Sequence, residues 1–233
     1  ENGIRIVEAW DYSKKYSVVD LEKMPDGRVN VWVRGQPTAF VDQVSPDSAV
    51  AALVARYERQ IGPTVNRVIA ELPQPLRKSG GEYPLGHLIA DAQRIAANAQ
   101  IAIMNNGGIR TEVEVGPLTW RELYQLQPFG NRVMRLRLTG AQVKEVMEQI
   151  VQGRAPGMHV SGIIVEYDSL GTPGSKISRM QLSTGEAITP SDTYTFAANN
   201  FLAEGGDNMT VLTRASQVVD PGILDLDALI TYM

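Results

Sequence analysis

Three short segments combine glycine with amide, carboxylate, aromatic or basic side chains, which is the composition of a ligand-binding loop. The first reads NNGGIR, occupies residues 105–110 and follows a short apolar run. Its adjacent glycines allow the backbone to turn with positive φ and to approach a ligand closely. The asparagines offer donors and acceptors, and the planar guanidinium of Arg110 suits a phosphate or a carboxylate. The segment indicates an anion site, with an ordinary Asn-Gly turn and a solvated Arg as the alternative.

The other two segments each carry a phenylalanine beside a glycine turn: NFLAEGGD at residues 200–207 and PFGN at 128–131. A carboxylate aimed by the Gly-Gly turn, Asp207, can accept hydrogen bonds from two neighbouring sugar hydroxyls or can cap its own backbone. Phe129 and Phe201 can sandwich a flat base, with stacking worth roughly 1–3 kcal/mol per base contact. Packing of each ring in its local core is the alternative.

A fourth segment, RKSGGE at residues 77–82, reads as a flexible loop with basic residues first and an acidic residue last. It can add a cation to the anion site. The alternative is a solvated charged loop without a ligand.

Composition excludes several classes of protein. The chain has 233 residues, 43% of them hydrophobic, and a net charge of −4. That charge argues against a nucleic-acid polymer as partner, since such proteins rely on basic excess. The chain has no apolar run of 18 residues and no cysteine, so it has no predicted membrane span, disulfide or thiolate site. Its only histidines, His87 and His159, are far apart, which is a poor basis for a metal site.

The first sixty residues differ in pattern from the rest. Short β-branched runs near residues 4–7, 16–21 and 28–33 predict strands, the last two forming a hairpin around a Pro-Asp-Gly turn. A helix is predicted from a cap at Ser45 to about Gln60, ended by Gly62-Pro63. The chain begins at Glu1 without an initiator Met or a signal peptide, which indicates a piece of a longer protein.

From residue 65 onward, helical and strand patterns alternate irregularly. This predicts an α+β fold with mixed sheets layered with helices, rather than a doubly wound sheet. Capping boxes at Thr119 and Thr139 open two of the helices. The predicted strands are 68–72, 101–104, 132–138, 162–167, 177–182 and 193–198, and the predicted helices are 85–97, 119–127, 139–152 and 225–233.

Taken in order, these segments resemble the C-terminal domain of the 5'-nucleotidase family, which includes periplasmic UDP-sugar hydrolases and surface ecto-5'-nucleotidases. The resemblance covers about residues 65–233 and also rests on ExxLGxLIADA, which begins at Glu82. It implies that residues 1–43 are a β-rich remnant of a metallophosphoesterase domain and that residues 44–64 form a connector helix. Residues 65–233 would then be the nucleotide-binding domain.

The resemblance also implies that catalysis and substrate recognition belong to different domains. The catalytic residues and two divalent metal ions belong to a missing N-terminal domain, so this chain is expected to hold no metal and to be inactive alone. Its expected partners are that domain and a nucleotide or nucleoside, in a parent hydrolase that converts nucleotides to nucleoside and phosphate. A periplasmic or secreted location is expected, because the family is usually exported.

The family's substrate contacts transfer to eight positions of this sequence. Phe129 and Phe201 are expected on either side of the base, with Asn131 at its edge. Asp207 is expected to accept from the ribose hydroxyls, and Arg110 to bind phosphate or carboxylate-like oxygens. The remaining expected contacts are Asn105 near the substrate, Gly162 in a neighbouring loop, and Arg77 as a second cation with Lys78 as its alternative.

Two other functions fit the same motifs. One is a non-catalytic nucleoside- or solute-binding module. The other keeps the metallophosphoesterase parent but changes its substrate to a cyclic nucleotide, a UDP-sugar or a sulfur-oxidation intermediate. The pair of phenylalanines favours a substrate that contains a base.

Overall fold

The computed structural model of this chain describes residues 7–8, 15–35, 44–79, 81–153 and 157–233. The chain divides into two compact units, Glu1–Gln60 and Ile61–Met233. The strand predicted near residues 4–7 lies, except for Val7, outside the described residues. Across the described ranges, no helix has both the length and the apolar character that a bilayer crossing needs.

The helices and strands are numbered in chain order. They are β1 (Val19–Lys23), β2 (Val29–Val33), α1 (Ser48–Val65), β3 (Val68–Leu72), α2 (Pro84–Ala96), β4 (Ile101–Asn105), β5 (Gly116–Thr119), α3 (Trp120–Leu126), β6 (Val133–Thr139), α4 (Gly140–Val151), β7 (Met158–Ser161), β8 (Ile163–Tyr167), β9 (Ile177–Leu182), β10 (Thr193–Asn199), α5 (Asn200–Ala203), β11 (Gln217–Val219) and α6 (Asp225–Tyr232).

The first unit contains the predicted hairpin. Strands β1 and β2 pair antiparallel, with Val19 opposite Val33. Gly27 takes φ +86° in the turn, a conformation that glycine adopts without steric cost. Most side chains of both strands are exposed. The hairpin prediction is confirmed.

Helix α1 differs from its prediction at both ends. Its cap is Asp47, whose Oδ1 accepts from the backbone N–H groups of Ala49 and Val50, both at 2.9 Å. A carboxylate at this position satisfies two N–H groups that have no intrahelical partner, so the predicted cap at Ser45 is wrong. The helix also continues through Pro63 to Val65, because the next turn is closed by a hydrogen bond from the Asn66 N–H to the Gly62 carbonyl at 2.9 Å.

The second unit is built on a five-stranded sheet of order β11-β6-β10-β4-β7. Strands β10 and β4 run parallel, and the other three pairs run antiparallel. Two further pairs, β3 with β5 and β8 with β9, form separate two-stranded antiparallel sheets. Helices cover this mixed sheet, and the predicted α+β class is confirmed.

Both capping boxes occur as predicted. The Thr119 hydroxyl accepts from the Glu122 N–H, and the Thr139 hydroxyl accepts from the Gln142 N–H. Four short elements, β5, β7, β11 and α5, have no counterpart in the sequence prediction. Each has only three or four residues, which is too short for a periodic pattern.

The core lies on both faces of the sheet, which explains why all five residues of β4 are buried. Alternate side chains of a strand point to opposite faces. Ile101 and Ile103 join a cluster that includes Val143 of α4. Met104 instead joins Leu85 and other side chains of α2. A strand covered on both faces reads as a continuous apolar run, as this one does.

Three loops meet at one end of this sheet because of its topology. Strands β4 and β10 are parallel, so their carboxyl ends, Asn105 and Asn199, lie at the same end. Strand β6 is antiparallel to β10 and starts there, with Val133 opposite Asn199. The sheet therefore brings residues 105–110, 128–132 and 200–207 together although they are far apart in the sequence.

His159 is a fully buried polar residue of this core. Its ring contacts Tyr83, with ring centroids 4.2 Å apart, and a Cβ at Gly86 would lie 2.1 Å from it. Within the described ranges, neither ring nitrogen has a hydrogen-bond partner. Burial, with a smaller contribution from the charges of His87 and Lys78, lowers the pKa of His159 to about 4.

This burial predicts acid sensitivity. His159 is neutral in the folded chain down to about pH 4, whereas the unfolded chain binds its proton near pH 6.5. The free energy of unfolding should therefore fall as pH drops from 6.5 to 4, by on the order of 2–4 kcal/mol from this residue. The measurement is urea unfolding of the wild type and His159→Phe across that range.

The free energy of unfolding of His159→Phe should depend less on pH than that of the wild type. The variant should also be more stable than the wild type at pH 7, because it removes two buried polar atoms that have no hydrogen-bond partner. His87→Gln changes the other, partly exposed histidine and should keep most of the wild-type dependence. Equal pH slopes for the wild type and His159→Phe would contradict the prediction.

Candidate functional site

A cavity of about 370 Å³ opens where the three loops meet. Pockets for small organic ligands commonly have this size and a mostly apolar lining with a few polar groups. The cavity draws on three of the four segments that the sequence singled out for a ligand, and residues 77–82 do not line it. Its lining residues are Asn105, Gly107, Gly108, Phe129, Asn131, Phe201 and Asp207.

A chain of hydrogen bonds fixes the polar side of the cavity. Asn199 donates through Nδ2 to Oδ1 of Asn105 at 3.0 Å, and Asn105 donates through Nδ2 to Oδ2 of Asp207 at 2.8 Å. Asn199 in turn accepts from the Leu202 N–H at 2.9 Å and caps α5. These bonds set the orientation of the Asn105 amide. The carboxylate of Asp207 is thereby held in place while it keeps acceptor capacity for a ligand.

The two phenylalanine rings of the cavity are exposed, in contrast to the core residue Phe196. Phe129 is 56% exposed and Phe201 45%, whereas Phe196 is 0% exposed. The Phe201 ring packs over Gly206, where a Cβ would lie 2.5 Å from the ring. Exposed apolar rings that line a cavity can bind a flat apolar surface. Core packing does not account for these two rings.

Two cations flank the NNGGIR loop. The guanidinium of Arg110 lies over the Phe129 ring, 5.7 Å from its centroid, and donates to the Gly107 carbonyl at 3.2 Å. Lys78 Nζ donates to the Ile109 carbonyl at 2.7 Å. Burial first, and then the charge of Arg110, lower the pKa of Lys78. The carboxylate of Glu112 lies beside Lys78 and accepts from its backbone N–H at 2.8 Å, so the loop is flanked by two cations and one carboxylate.

The structure does not bring Arg77 to the cavity. Its guanidinium pairs with Glu114, with Nη2 2.7 Å from Oε2, and with Glu112 at 3.4 Å. The hydrogen bond from Glu114 raises the pKa of Arg77. Because two carboxylates hold Arg77, its neighbour Lys78 is the cation of this segment that contacts the NNGGIR loop.

Gly162 also lies elsewhere. It lines a different cavity and forms the turn between β7 and β8 with φ +78°. A Cβ there would lie 2.0 Å from the carbonyl oxygen of Gln100. Glycine is therefore required for packing at this turn, which also splits the predicted 162–167 strand from the unpredicted β7.

Sequence reasoning missed two residues that support the site, Asn199 and Asp225. Asn199 orients Asn105, while Gly206 of the Gly-Gly turn makes room for the Phe201 ring. Asp225, 1% exposed at the start of α6, contacts Asn131 through its backbone: the Asp225 N–H donates to the Asn131 carbonyl at 2.8 Å. Burial raises the pKa of Asp225 to about 6. Only the folded structure reveals the contacts of Asn199 and Asp225, since their partners Asn105 and Asn131 are distant in sequence.

The described residues include no group of three His, Asp or Glu side chains that could hold a metal ion. The two histidine rings lie edge to face, with centroids 5.8 Å apart, and His87 Nδ1 lies 2.9 Å from the Val160 carbonyl. This part of the chain thus offers ligand-binding groups and no metal-binding group.

The chain thus contains an α+β domain with a cavity whose lining suits a flat, hydroxyl-bearing ligand. Residues 63–214 match the family model described as 5'-nucleotidase, C-terminal domain, and the chain belongs to this family. The family expected from the four motifs is confirmed, and its members include hydrolases named 5'-nucleotidase.

Three similar proteins illustrate the relationship. A crystal structure of a 5'-nucleotidase precursor from Thermus thermophilus superimposes with a TM-score of 0.75 at 27% identity, covering 97% of this chain and 48% of that one. Endonuclease YhcR of Bacillus subtilis is 32% identical over all of this chain, which spans 19% of the relative. Cell wall protein Lmo0130 of Listeria monocytogenes is 27% identical over 98% of this chain, which spans 32% of it. The chain thus spans less than half the length of each.

Proposed function

We propose that this chain is the nucleotide-recognition domain of a 5'-nucleotidase-type metallophosphoesterase, a hydrolase that converts nucleotides to nucleoside and phosphate. One observation carries the proposal: a single cavity is lined by two exposed phenylalanine rings, Phe129 and Phe201, and by a carboxylate, Asp207, that Asn105 holds in place. This combination suits a base attached to a sugar.

In the proposed complex, the base lies between the two rings and the ribose hydroxyls donate to Asp207. The phosphate extends toward the side chains of Arg110 and Lys78, which flank the NNGGIR loop. A planar guanidinium can bind phosphate oxygens in pairs, and an ammonium adds a point charge. Binding energy from base and sugar would thus orient a phosphate ester that reacts elsewhere.

The reaction itself is assigned to a metallophosphoesterase domain with two divalent metal ions that activate a water molecule. Residues 1–43 are proposed as the end of that domain, 44–64 as the connector and 65–233 as the recognition domain. With divalent metal added, this chain should bind AMP and release no phosphate. The resemblance to a cell wall protein supports a periplasmic or secreted location.

Replacing Asp207 by asparagine tests the sugar contact. The variant keeps an acceptor for Asn105 but loses the charge that strengthens hydrogen bonds from hydroxyls, a difference of about 1 kcal/mol for each of the two bonds. Affinity for adenosine, measured by calorimetric titration, should fall about 10- to 100-fold. Affinity for 2',3'-dideoxyadenosine should hardly change.

The matched control is Glu204→Gln, which removes the same charge from an exposed residue of the same segment that does not line the cavity. It should leave the affinity for adenosine unaltered. If Asp207→Asn weakened both nucleosides equally, Asp207 would not be the sugar contact. If the wild type bound neither, the proposed function would be wrong.

A further inference from the structure

Two adjacent glycines, Gly107 and Gly108, line the cavity and form what we call its floor. They belong to a single 3₁₀ turn, Asn106–Gly108, in which the Asn106 carbonyl accepts from the Ile109 N–H at 3.1 Å. Glycine has more conformational freedom than any other residue, and it carries no side chain that packing could hold. The position of the floor therefore depends on the residues at the two ends of the turn.

Asn106 anchors the start of this turn through both its backbone and its side chain. Its backbone N–H donates to the Gly157 carbonyl at 2.8 Å. Its side-chain Oδ1 accepts from the hydroxyl of Tyr83, a buried residue outside the lining of the cavity. A Cβ at Gly157 would lie 3.0 Å from the Asn106 Cβ, so the two residues also pack closely. These contacts fix the residue from which the floor begins.

Tyr83 is itself held in place by the core. It is 3% exposed, precedes α2, and belongs to the same apolar cluster as Ile109. Its ring lies against that of His159, with centroids 4.2 Å apart. Burial first, and then the charge of Glu112, raise the pKa of Tyr83 to about 12, so the hydroxyl keeps the proton that it donates. A buried tyrosine hydroxyl usually has a hydrogen-bond partner, and here that partner belongs to the turn that carries the floor.

We propose that Tyr83 is a positioning residue for ligand binding: through Asn106 it fixes the floor of the cavity, and with it Arg110, although it lies outside the cavity. The inference rests on the proposed function, in which Arg110 meets the phosphate. The Arg110 guanidinium donates to the Gly107 carbonyl at 3.2 Å, so a displaced floor also displaces this cation. A floor that is already ordered in the free chain does not have to be ordered during binding, which raises affinity.

Tyr83→Phe tests this role because it removes the hydroxyl and keeps the ring. Asn106 Oδ1 then lacks its donor, and the affinity of the 233-residue chain for adenosine, measured by calorimetric titration, should fall about three- to tenfold. The affinity for AMP should fall by at least the same factor, because Arg110 is displaced as well. Hydrogen exchange of the Asn106 and Ile109 amides should become faster, since these two N–H groups make the backbone hydrogen bonds of the turn.

A double-mutant cycle shows whether Tyr83 acts through Asn106. Asn106→Ala removes the same hydrogen bond from its acceptor side. Tyr83→Phe combined with Asn106→Ala should therefore weaken adenosine binding no further than Asn106→Ala alone. If the two side chains acted independently, the double variant would show the product of the two single factors, and the inference would be overturned.

Tyr194→Phe is the matched control. Tyr194 is also a buried tyrosine, its hydroxyl accepts from the Thr189 N–H at 2.8 Å, and it lies at the opposite end of β10 from Asn199. This variant should melt at a lower temperature than the wild type, with adenosine affinity and exchange of the two amides unchanged. The same result for Tyr83→Phe would mean a merely structural role and would overturn this inference alone. Binding of neither adenosine nor AMP by the wild type would overturn the proposed function, while amide exchange would still show whether Tyr83 fixes the turn.

Discussion

Phe201→Ala is expected to weaken adenosine binding by about 1–3 kcal/mol, or roughly 5- to 150-fold, because it removes one of the two rings on which the base stacks. The effect should fall mainly on ligands that contain a base, so affinity for ribose 5-phosphate should change little. Phe201 is 45% exposed, so its truncation removes little core packing and the chain should stay folded. Calorimetric titration measures the affinity for adenosine, and a thermal melt of the same sample shows whether the variant stays folded.

Tyr167→Ala provides the matched control for this prediction. Tyr167 is a comparably exposed aromatic residue, 52% exposed, on β8 and outside the lining of the cavity. Its removal should leave adenosine affinity at the wild-type value. Phe129→Ala should resemble Phe201→Ala, with an added loss for phosphorylated ligands because the Arg110 guanidinium lies over that ring. Unchanged affinity in both phenylalanine variants would exclude stacking.

The elements of the second unit were largely predictable because their patterns are local. The capping boxes at Thr119 and Thr139 mark helix starts through side chains three residues apart. The five buried residues of β4 read as a strand because both faces of the sheet are covered. Helix α1 shows the opposite case. Its sequence contains two residues that can cap the helix, Ser45 and Asp47, so the local pattern does not fix the first turn. The helix also continues through Pro63, which the pattern takes as its end.

The candidate site was predictable where its residues lie in glycine-containing loops. Phe129, Phe201, Asp207 and Asn105 all line the cavity, and each sits in a motif that is visible in the sequence. Whether Arg77 or its alternative Lys78 contacts the NNGGIR loop depends on which of the two adjacent side chains the backbone turns toward that loop. The acidic partner that decides this, Glu114, is distant in sequence. No local pattern contains that information.

Local sequence patterns also do not identify the residues that support the site without lining the cavity. Asn199 donates to the Asn105 side chain, the Asp225 N–H donates to the Asn131 carbonyl, and both Asn199 and Asp225 are buried polar residues. Such residues are costly unless they are paired. A buried amide or carboxylate beside a cavity therefore points to the groups it orients. Identifying the partner requires the sheet topology that places the ends of β4, β10 and α6 together.

The pair formed by Asn105 and Asp207 supports the second prediction with a large expected effect. Asn105→Asp changes no side-chain volume but places a carboxylate oxygen against Asp207 where Nδ2 now lies 2.8 Å from its Oδ2. Asn105 is 4% exposed, so solvent screens the repulsion weakly. The variant should be destabilised at pH 8 by on the order of 3 kcal/mol, as measured by urea unfolding, and adenosine binding should be strongly reduced.

The stability of Asn105→Asp should depend on pH because its two neighbouring carboxyl groups can share one proton. Repulsion raises the pKa of one carboxyl of the pair, so the folded Asn105→Asp variant binds a proton that its unfolded state has already lost. Its stability relative to the wild type should therefore recover as pH falls from 8 toward 5. Adding Asp207→Asn swaps amide and carboxylate between the two positions and restores the hydrogen bond, while Asn199 still donates to residue 105. The double variant should regain most of the stability at pH 8 but not the affinity for adenosine, because the carboxylate no longer stands where the ribose hydroxyls meet it. A double variant as unstable as Asn105→Asp alone would show that the two side chains do not interact as the structure describes.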